Sequence, residues 1–169
     1  MTKRAIEPIE NGRIRLRLLQ ESDLPLTLMW RNEEHIRRWF FSSERILLEQ
    51  HQGWFAQYQE RDDDFVFVVE EMQNSNRPIG QAALYNVDWA RQRAEFGRLL
   101  IGEPDATGKG FAHAATGLLI RFGFDQLGLE ELYVQVYSDN TPALAIYTAC
   151  GFQAVNQNAR VITMTKQRA

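Results

Sequence analysis

Thr107-Gly108-Lys109-Gly110-Phe111-Ala112-His113 is the stretch on which the reading of the chain turns. Glu95-Phe96-Gly97-Arg98-Leu99-Leu100-Ile101 precedes it and reads as an apolar strand. Residues 114–127 follow it and read as an amphipathic helix. A strand, a glycine loop and a helix in that order make an anion cradle. Glycine lets the backbone approach a ligand closely. The first N–H groups of a helix have no internal partner and carry the positive end of its dipole. Phosphate oxygens fit there. The spacing is not that of a Walker loop, and a dinucleotide fingerprint would need glycine where His113 stands. A pyrophosphate site on a different kind of sheet is the better reading, with a ligand-free glycine turn as the alternative.

Upstream, residues 1–12 read as a loose lead-in. Residues 13–18 alternate strictly, Ile14, Leu16 and Leu18 against Arg13, Arg15 and Arg17, as a half-buried strand does. Ser22-Asp23 is a cap, Pro25 suits the first helical turn, and Leu26, Met29 and Trp30 form the expected inner face. A short helix is predicted over residues 33–41, and a longer one from a Ser43 cap to about Arg61. On the latter, His51, Trp54, Phe55 and Tyr58 recur at helical spacing, which suits core packing. Residues 65–69, 79–87 and the strand ending at Ile101 follow one another over short links, which predicts an antiparallel meander.

Downstream, the helix after the loop runs to about Gln126, and residues 132–137 form a strand. That strand follows a helical crossover, so it should lie parallel to the one entering the loop. Asn140 and Pro142 start another helix, which Gly151 stops. Residues 152–166 can close a hairpin around Asn156-Gln157-Asn158. The predicted class is α/β: a mixed, mostly antiparallel central sheet with one parallel strand pair and flanking helices, in a single domain over residues 1–169.

Bulk properties narrow the function classes. At 169 residues and a net charge of −3, the chain offers no general attraction to nucleic acid or anionic membrane. Cys150 is the only cysteine, so there is no internal disulfide and no cysteine pattern for a metal. Residues 1–8 lack an apolar signal region, and no apolar run approaches the roughly 18 residues of a membrane span. A cytoplasmic setting is expected. Of the 19 basic residues, 16 are Arg, which suits two-pronged contacts with phosphate or carboxylate but also follows from base composition.

A second constellation sharpens the first. Asn140 and Tyr147 are seven residues apart, about two helical turns, so they share nearly one face. A tyrosine beside a leaving thiolate can act as general acid; it can also be a core tyrosine with a satisfied hydroxyl. Glu95-Phe96-Gly97, the glycine loop, Val136-x-x-x-Asn140 and Tyr147-x-x-x-Gly151-Phe152, in that order, closely resemble the Gcn5-related N-acetyltransferases over residues 13–152.

The resemblance implies acetyl-CoA as donor and a sheet splayed between the strand ending at Ile101 and that at residues 132–137. Backbone groups of Leu99, Leu100 and Ile101 would hold the pantetheine and acetyl carbonyl. Amides of Thr107, Gly108, Lys109, Gly110, Phe111, Ala112 and His113 would hold the pyrophosphate. Asn140 would bond the pantetheine arm, and Tyr147 would protonate the thiolate. Glu95 is the first candidate for general base, acting through water, unless Arg91, Arg93 or Arg98 ties it into an ion pair. No metal is implied. Thr107 stands where the family usually has Arg or Gln, and the closing hairpin is short, which leaves the acceptor side open or closed by a second copy in a homodimer.

Three branches compete for the acceptor, a small-molecule or peptide amine. Trp30-Arg31-Asn32-Glu33, His51-x-x-Trp54-Phe55 and Asn86-Val87-Asp88 resemble enzymes that acetylate nucleotide-linked amino sugars. Residues 93–96 and the loop resemble polyamine acetyltransferases, and the outline matches enzymes acetylating ribosomal-protein N-termini. Phe41-Ser42 stands where the polyamine branch has acids, amid Arg31, Arg37 and Arg38. Arg31, Trp39 and Trp54 are therefore expected to bind a small anionic acceptor. A non-catalytic CoA-binding module is the alternative of another class.

Overall fold

The β-branched and aromatic run at residues 65–69 is buried along its whole length. A computed structural model describes residues 2–169. Its strands are β1 (Ile9–Glu10), β2 (Ile14–Leu18), β3 (Asp64–Glu71), β4 (Arg77–Asp88), β5 (Arg93–Ile101), β6 (Glu131–Tyr137), β7 (Gln153–Asn158) and β8 (Val161–Gln167). They form one eight-stranded sheet in the order β1-β2-β3-β4-β5-β6-β8-β7. Every neighbouring pair is antiparallel except β5 and β6, which are parallel. The mixed α/β sheet expected from the sequence is therefore present.

Helix α4 (Phe111–Asp125) packs on one face, where Leu118, Leu119 and Phe122 meet Phe67, Leu84 and Phe96 in the main core. Helices α1 (Leu24–Asn32) and α3 (Leu48–Gln59) lie on the other face, where Leu24, Phe55 and Tyr58 meet Val66, Val68 and Ala83, and the short α2 (Glu34–Arg37) follows α1. Tyr58 ties α3 to β3: its hydroxyl accepts from Val66 N at 2.9 Å and donates to Val66 O at 3.3 Å. Arg17 ties β2 to β3 and to the start of α1, donating to Glu70 at 2.7 Å and to both Asp23 oxygens at 2.8 Å. No described helix is long and apolar enough to cross a membrane.

Four local expectations are corrected. The lead-in expected to be loose is pinned over its described residues 2–12: β1 pairs with β2, Arg4 pairs with Asp62 at 2.7 Å, and the Lys3 ammonium lies 3.8 Å from the Tyr58 ring centroid. The helix placed after Ser43 starts five residues later, at Leu48, where the Gln50 side chain accepts from Leu47 N at 2.8 Å. Residues 38–47 run without regular structure instead, and Asn32 holds them by accepting from Ile46 N and donating to Ile46 O, both at 2.8 Å. On α1, Leu24, Thr27, Trp30 and Arg31 are the buried residues, while Met29 is 53% exposed. In the last hairpin, residues 156–158 belong to β7 and the chain reverses at Ala159-Arg160, with Ala159 left-handed at φ 55°.

Candidate active site

Two irregularities in β5 make the site. The first is a bulge: Gln81 opposes Leu100 and Ala83 opposes Gly97, so β5 carries one residue more than β4 over that interval. The extra length is taken up at Arg98, whose φ is 52°, and the Gln81 amide donates to Arg98 O at 3.1 Å. A bulge re-aims the groups on its strand. The second is a parting: β5 and β6 pair only over Arg93–Glu131, Ala94–Leu132 and Glu95–Tyr133. Beyond Glu95 and Tyr133 the two strands continue without pairing to each other.

A cavity of about 460 Å³ fills the gap. Gly97 to Ile101 line one wall, Val134 to Val136 the other, and Ile146 and Tyr147 approach from α5 (Thr141–Ala149) with Asn140 at its cap. Gly97 has no room for a side chain there, since a Cβ would stand 2.7 Å from the Tyr85 hydroxyl. Asn140 caps α5 with its side-chain oxygen, 3.4 Å from Ala143 N. Tyr147 is only 5% exposed, with its ring edge-on to Phe96 and Phe152. Burial pushes the Tyr147 phenol well above its ordinary pKa, so it stays protonated at neutral pH.

The glycine loop closes one end of this cleft. Gly108 and Gly110 take left-handed φ of 72° and 81°, as a tight entry to α4 requires. The first internal bond of α4 runs from Ala114 N to Gly110 O, which leaves the N–H groups of Phe111, Ala112 and His113 without helical partners. Thr107 and Ala112 line the cleft; Gly108, Lys109, Gly110 and His113 are exposed at its rim, and the Phe111 side chain is buried in the core. Arg13, which the sequence marked only as the polar face of a strand, braces the loop: its guanidinium bonds Lys109 O and stacks 4.3 Å from the Phe111 ring.

Glu95 is 7% exposed and forms no ion pair among the described residues. The arginines beside it are engaged elsewhere: Arg91 with Asp88, Arg93 with Glu131 and Arg98 with Asp64. Two neutral donors hold the carboxylate instead, the Tyr85 hydroxyl at 3.0 Å and the Asn86 amide at 3.0 Å. Tyr85 lines the cleft, whereas Glu95 lies behind it. Burial and the neighbouring Glu95 charge raise the Tyr85 pKa far above the ordinary phenol range.

A second cavity of about 330 Å³ adjoins the first through Phe40, Phe41, Tyr85 and Arg98. Its remaining wall includes Arg31, Thr27, His51 and Trp54. His51 stacks on Trp54 and its Nε2 lies 3.2 Å from the Thr27 hydroxyl; burial and Arg31 lower its pKa. No Asp or Glu lines this cavity. The expected acceptor residues are thus partly separated: Arg31 and Trp54 share the second cavity, whereas Trp39 lines the cleft. Of the three arginines expected together, only Arg31 lines the second cavity: Arg37 donates to Ser43 O instead, and Arg38 is exposed. Arg98 takes their place. No described cluster of three or more His, Cys, Asp or Glu residues could hold a metal ion.

A sheet opened between two parallel strands, with a glycine loop at one end and a buried tyrosine facing the gap, defines the class of N-acetyltransferases that the motifs suggested. The chain belongs to the acetyltransferase (GNAT) domain family, whose model matches residues 13–153. It is 27% identical over 142 residues to a spermidine N(1)-acetyltransferase of Vibrio cholerae, covering 84% of this chain and 80% of that one. The Escherichia coli K12 spermidine N(1)-acetyltransferase is 28% identical over 139 residues, covering 82% and 72%. Among solved structures, spermidine N-acetyltransferase from Vibrio cholerae in complex with CoA and spermine superposes with a TM-score of 0.85 at 25% identity, over 93% of this chain and 96% of that one.

Proposed function

We propose that the chain transfers an acetyl group from acetyl-CoA to a primary amine by direct attack, with the donor in the cleft and the acceptor entering through the second cavity. The parting of β5 from β6 after Glu95 carries this reading, because it leaves strand backbone facing a cavity opposite Tyr147. When bound, acetyl-CoA supplies the activated thioester. Backbone groups of Leu99, Leu100 and Ile101 hold the pantetheine and polarise the acetyl carbonyl. The amides of residues 107–113 hold the pyrophosphate. Asn140 steadies the arm from the mouth of α5, and Tyr147 gives a proton to the departing sulfur. Glu95 accepts the amine proton through the Tyr85 hydroxyl, since Tyr85 reaches the cleft and Glu95 does not.

The acceptor is a small anionic amine, such as an amino-sugar nucleotide or an acidic peptide. The carboxylate-free cavity with Arg31, Arg98 and aromatic walls supports this, since a polycation needs acids that the lining lacks. The relatives supply no support for an anionic acceptor and favour a second reading, a polyamine. Acetyl transfer measured with spermidine, a UDP-amino sugar and a panel of peptides of different N-termini separates them. Robust turnover of spermidine alone would sink the anionic reading, and the peptides test N-terminal acetylation. Absence of any thermal shift with acetyl-CoA would instead favour a non-catalytic module.

Self-association as a homodimer belongs to the same proposal. The edge strand β7 is exposed along all six residues, and the Vibrio cholerae enzyme has been described in a dodecameric state. Sedimentation at several concentrations tests it.

A further inference from the structure

Arg31 stands apart from the other arginines of this side of the molecule. Arg17 meets Asp23 and Glu70, and the Arg98 guanidinium in the cavity wall meets Asp64 at 2.7 Å. Arg31 is 8% exposed and is found in no ion pair among the described residues. One of its nitrogens bonds Ser42 O, its guanidinium carbon lies 3.9 Å from the Phe40 ring centroid, and Nη1 has no partner. The charged or titratable groups that reach it, Arg37 and His51, add no negative charge. A buried cation without a counter-charge is costly, and the cost is met when an anion is placed against it. Arg31 is part of the lining of a cavity that has room for such an anion and has no Asp or Glu in its lining.

We infer that Arg31 is the anion anchor of the acceptor site: it holds a carboxylate or phosphate group of the molecule whose amine is acetylated. This rests on the acceptor reading above and names the residue and the ligand chemistry. A guanidinium suits either oxyanion through charge-assisted N–H donors. Phe40 on one side and the His51–Trp54 stack in the same cavity leave space for a flat, partly apolar body attached to that anion.

The test uses Arg31→Met, which keeps an unbranched stem against Phe40 and removes the charge, beside Arg31→Lys, which keeps the charge and loses the fork. Without ligand, Arg31→Met should melt at the wild-type temperature or above it, the reverse of what loss of a structural guanidinium gives. Inorganic phosphate and succinate, titrated separately without acetyl-CoA, should raise the wild-type melting temperature and leave that of Arg31→Met unmoved. The arm that responds tells phosphate from carboxylate. With an accepted anionic amine, KM for the acceptor should rise about 10–100-fold in Arg31→Met, as for loss of a charge-assisted pair, with kcat little changed. Arg31→Lys should fall between. A wild-type protein stabilised by neither anion overturns the anchor, as does an Arg31→Met protein that keeps the wild-type anion response. If the anions act through Arg31 but no amine is acetylated, the anchor stands and the transfer reading fails.

Discussion

The cleft between β5 and β6 and the cavity beside α1 and α3 share a wall but are made of different material. Strand backbone, a glycine loop and a helix start define the first. The second is a set of side chains from α1, α3, β3, β4, β5, Leu19 and the irregular residues 40–46. Backbone sites follow from element order and glycine placement, which tolerate much change in side chains. Sites made of side chains depend on how distant segments meet, and one substitution rewrites their chemistry. The comparison explains how a chain can share its fold with spermidine acetyltransferases while its second cavity lacks acids.

The largest effect that could break this division is at Tyr147. Tyr147→Phe should lower kcat by about 10²–10⁴-fold with little change in acetyl-CoA affinity, in steady-state kinetics beside calorimetric titration. Unchanged turnover removes the acid assignment. The raised pKa also sets a sign: wild-type kcat should not fall on the alkaline side until above about pH 10, because the buried phenol keeps its proton.

Next comes Glu95→Gln, expected to cost about 10²-fold in kcat, with Tyr85→Phe showing a smaller loss in the same direction. If Glu95 works through Tyr85, the double variant should lose little more kcat than Glu95→Gln alone, since both substitutions break one relay. A full effect of Glu95→Gln with none from Tyr85→Phe would restore a water path.

Gly102→Ala sharpens the comparison from the side of stability. Its Cβ would fall on the Trp30 indole, and Trp30 packs with Ile36 and Leu100 beneath the β5 bulge. A loss of about 1–3 kcal/mol in urea unfolding is expected. The smallest effect concerns the loop: Arg13→Ala removes a carbonyl contact and a cation–aromatic stack, so acetyl-CoA should bind about fivefold more weakly.

What was legible in the sequence follows the same division. The alternation over residues 13–18, the β-rich run at 65–69 and the glycines at 108 and 110 placed β2, β3 and the entry to α4 within a few residues. The parallel pairing of β5 and β6 followed from the crossover rule. The Arg98 bulge was hidden because its left-handed residue is not glycine. The start of α3 was misplaced because Ser43 is a good cap in isolation, while Asn32 holds residue 46 in an extended course. No local pattern announces that Tyr85 and Asn86 would claim Glu95, or that Arg37 would turn away from Arg31. Those outcomes depend on register and on packing between segments far apart in the chain.

The wall of Phe40, Phe41, Tyr85 and Arg98 belongs to both cavities. Whatever acetyl-CoA does to these four side chains changes the fit of the acceptor, and the coupling free energy is the same in either direction. If the donor tightens acceptor binding by some factor, the acceptor must tighten the donor by that factor. Order of addition is then a kinetic preference within one thermodynamic cycle, and two binding titrations, each with and without the other ligand, close it.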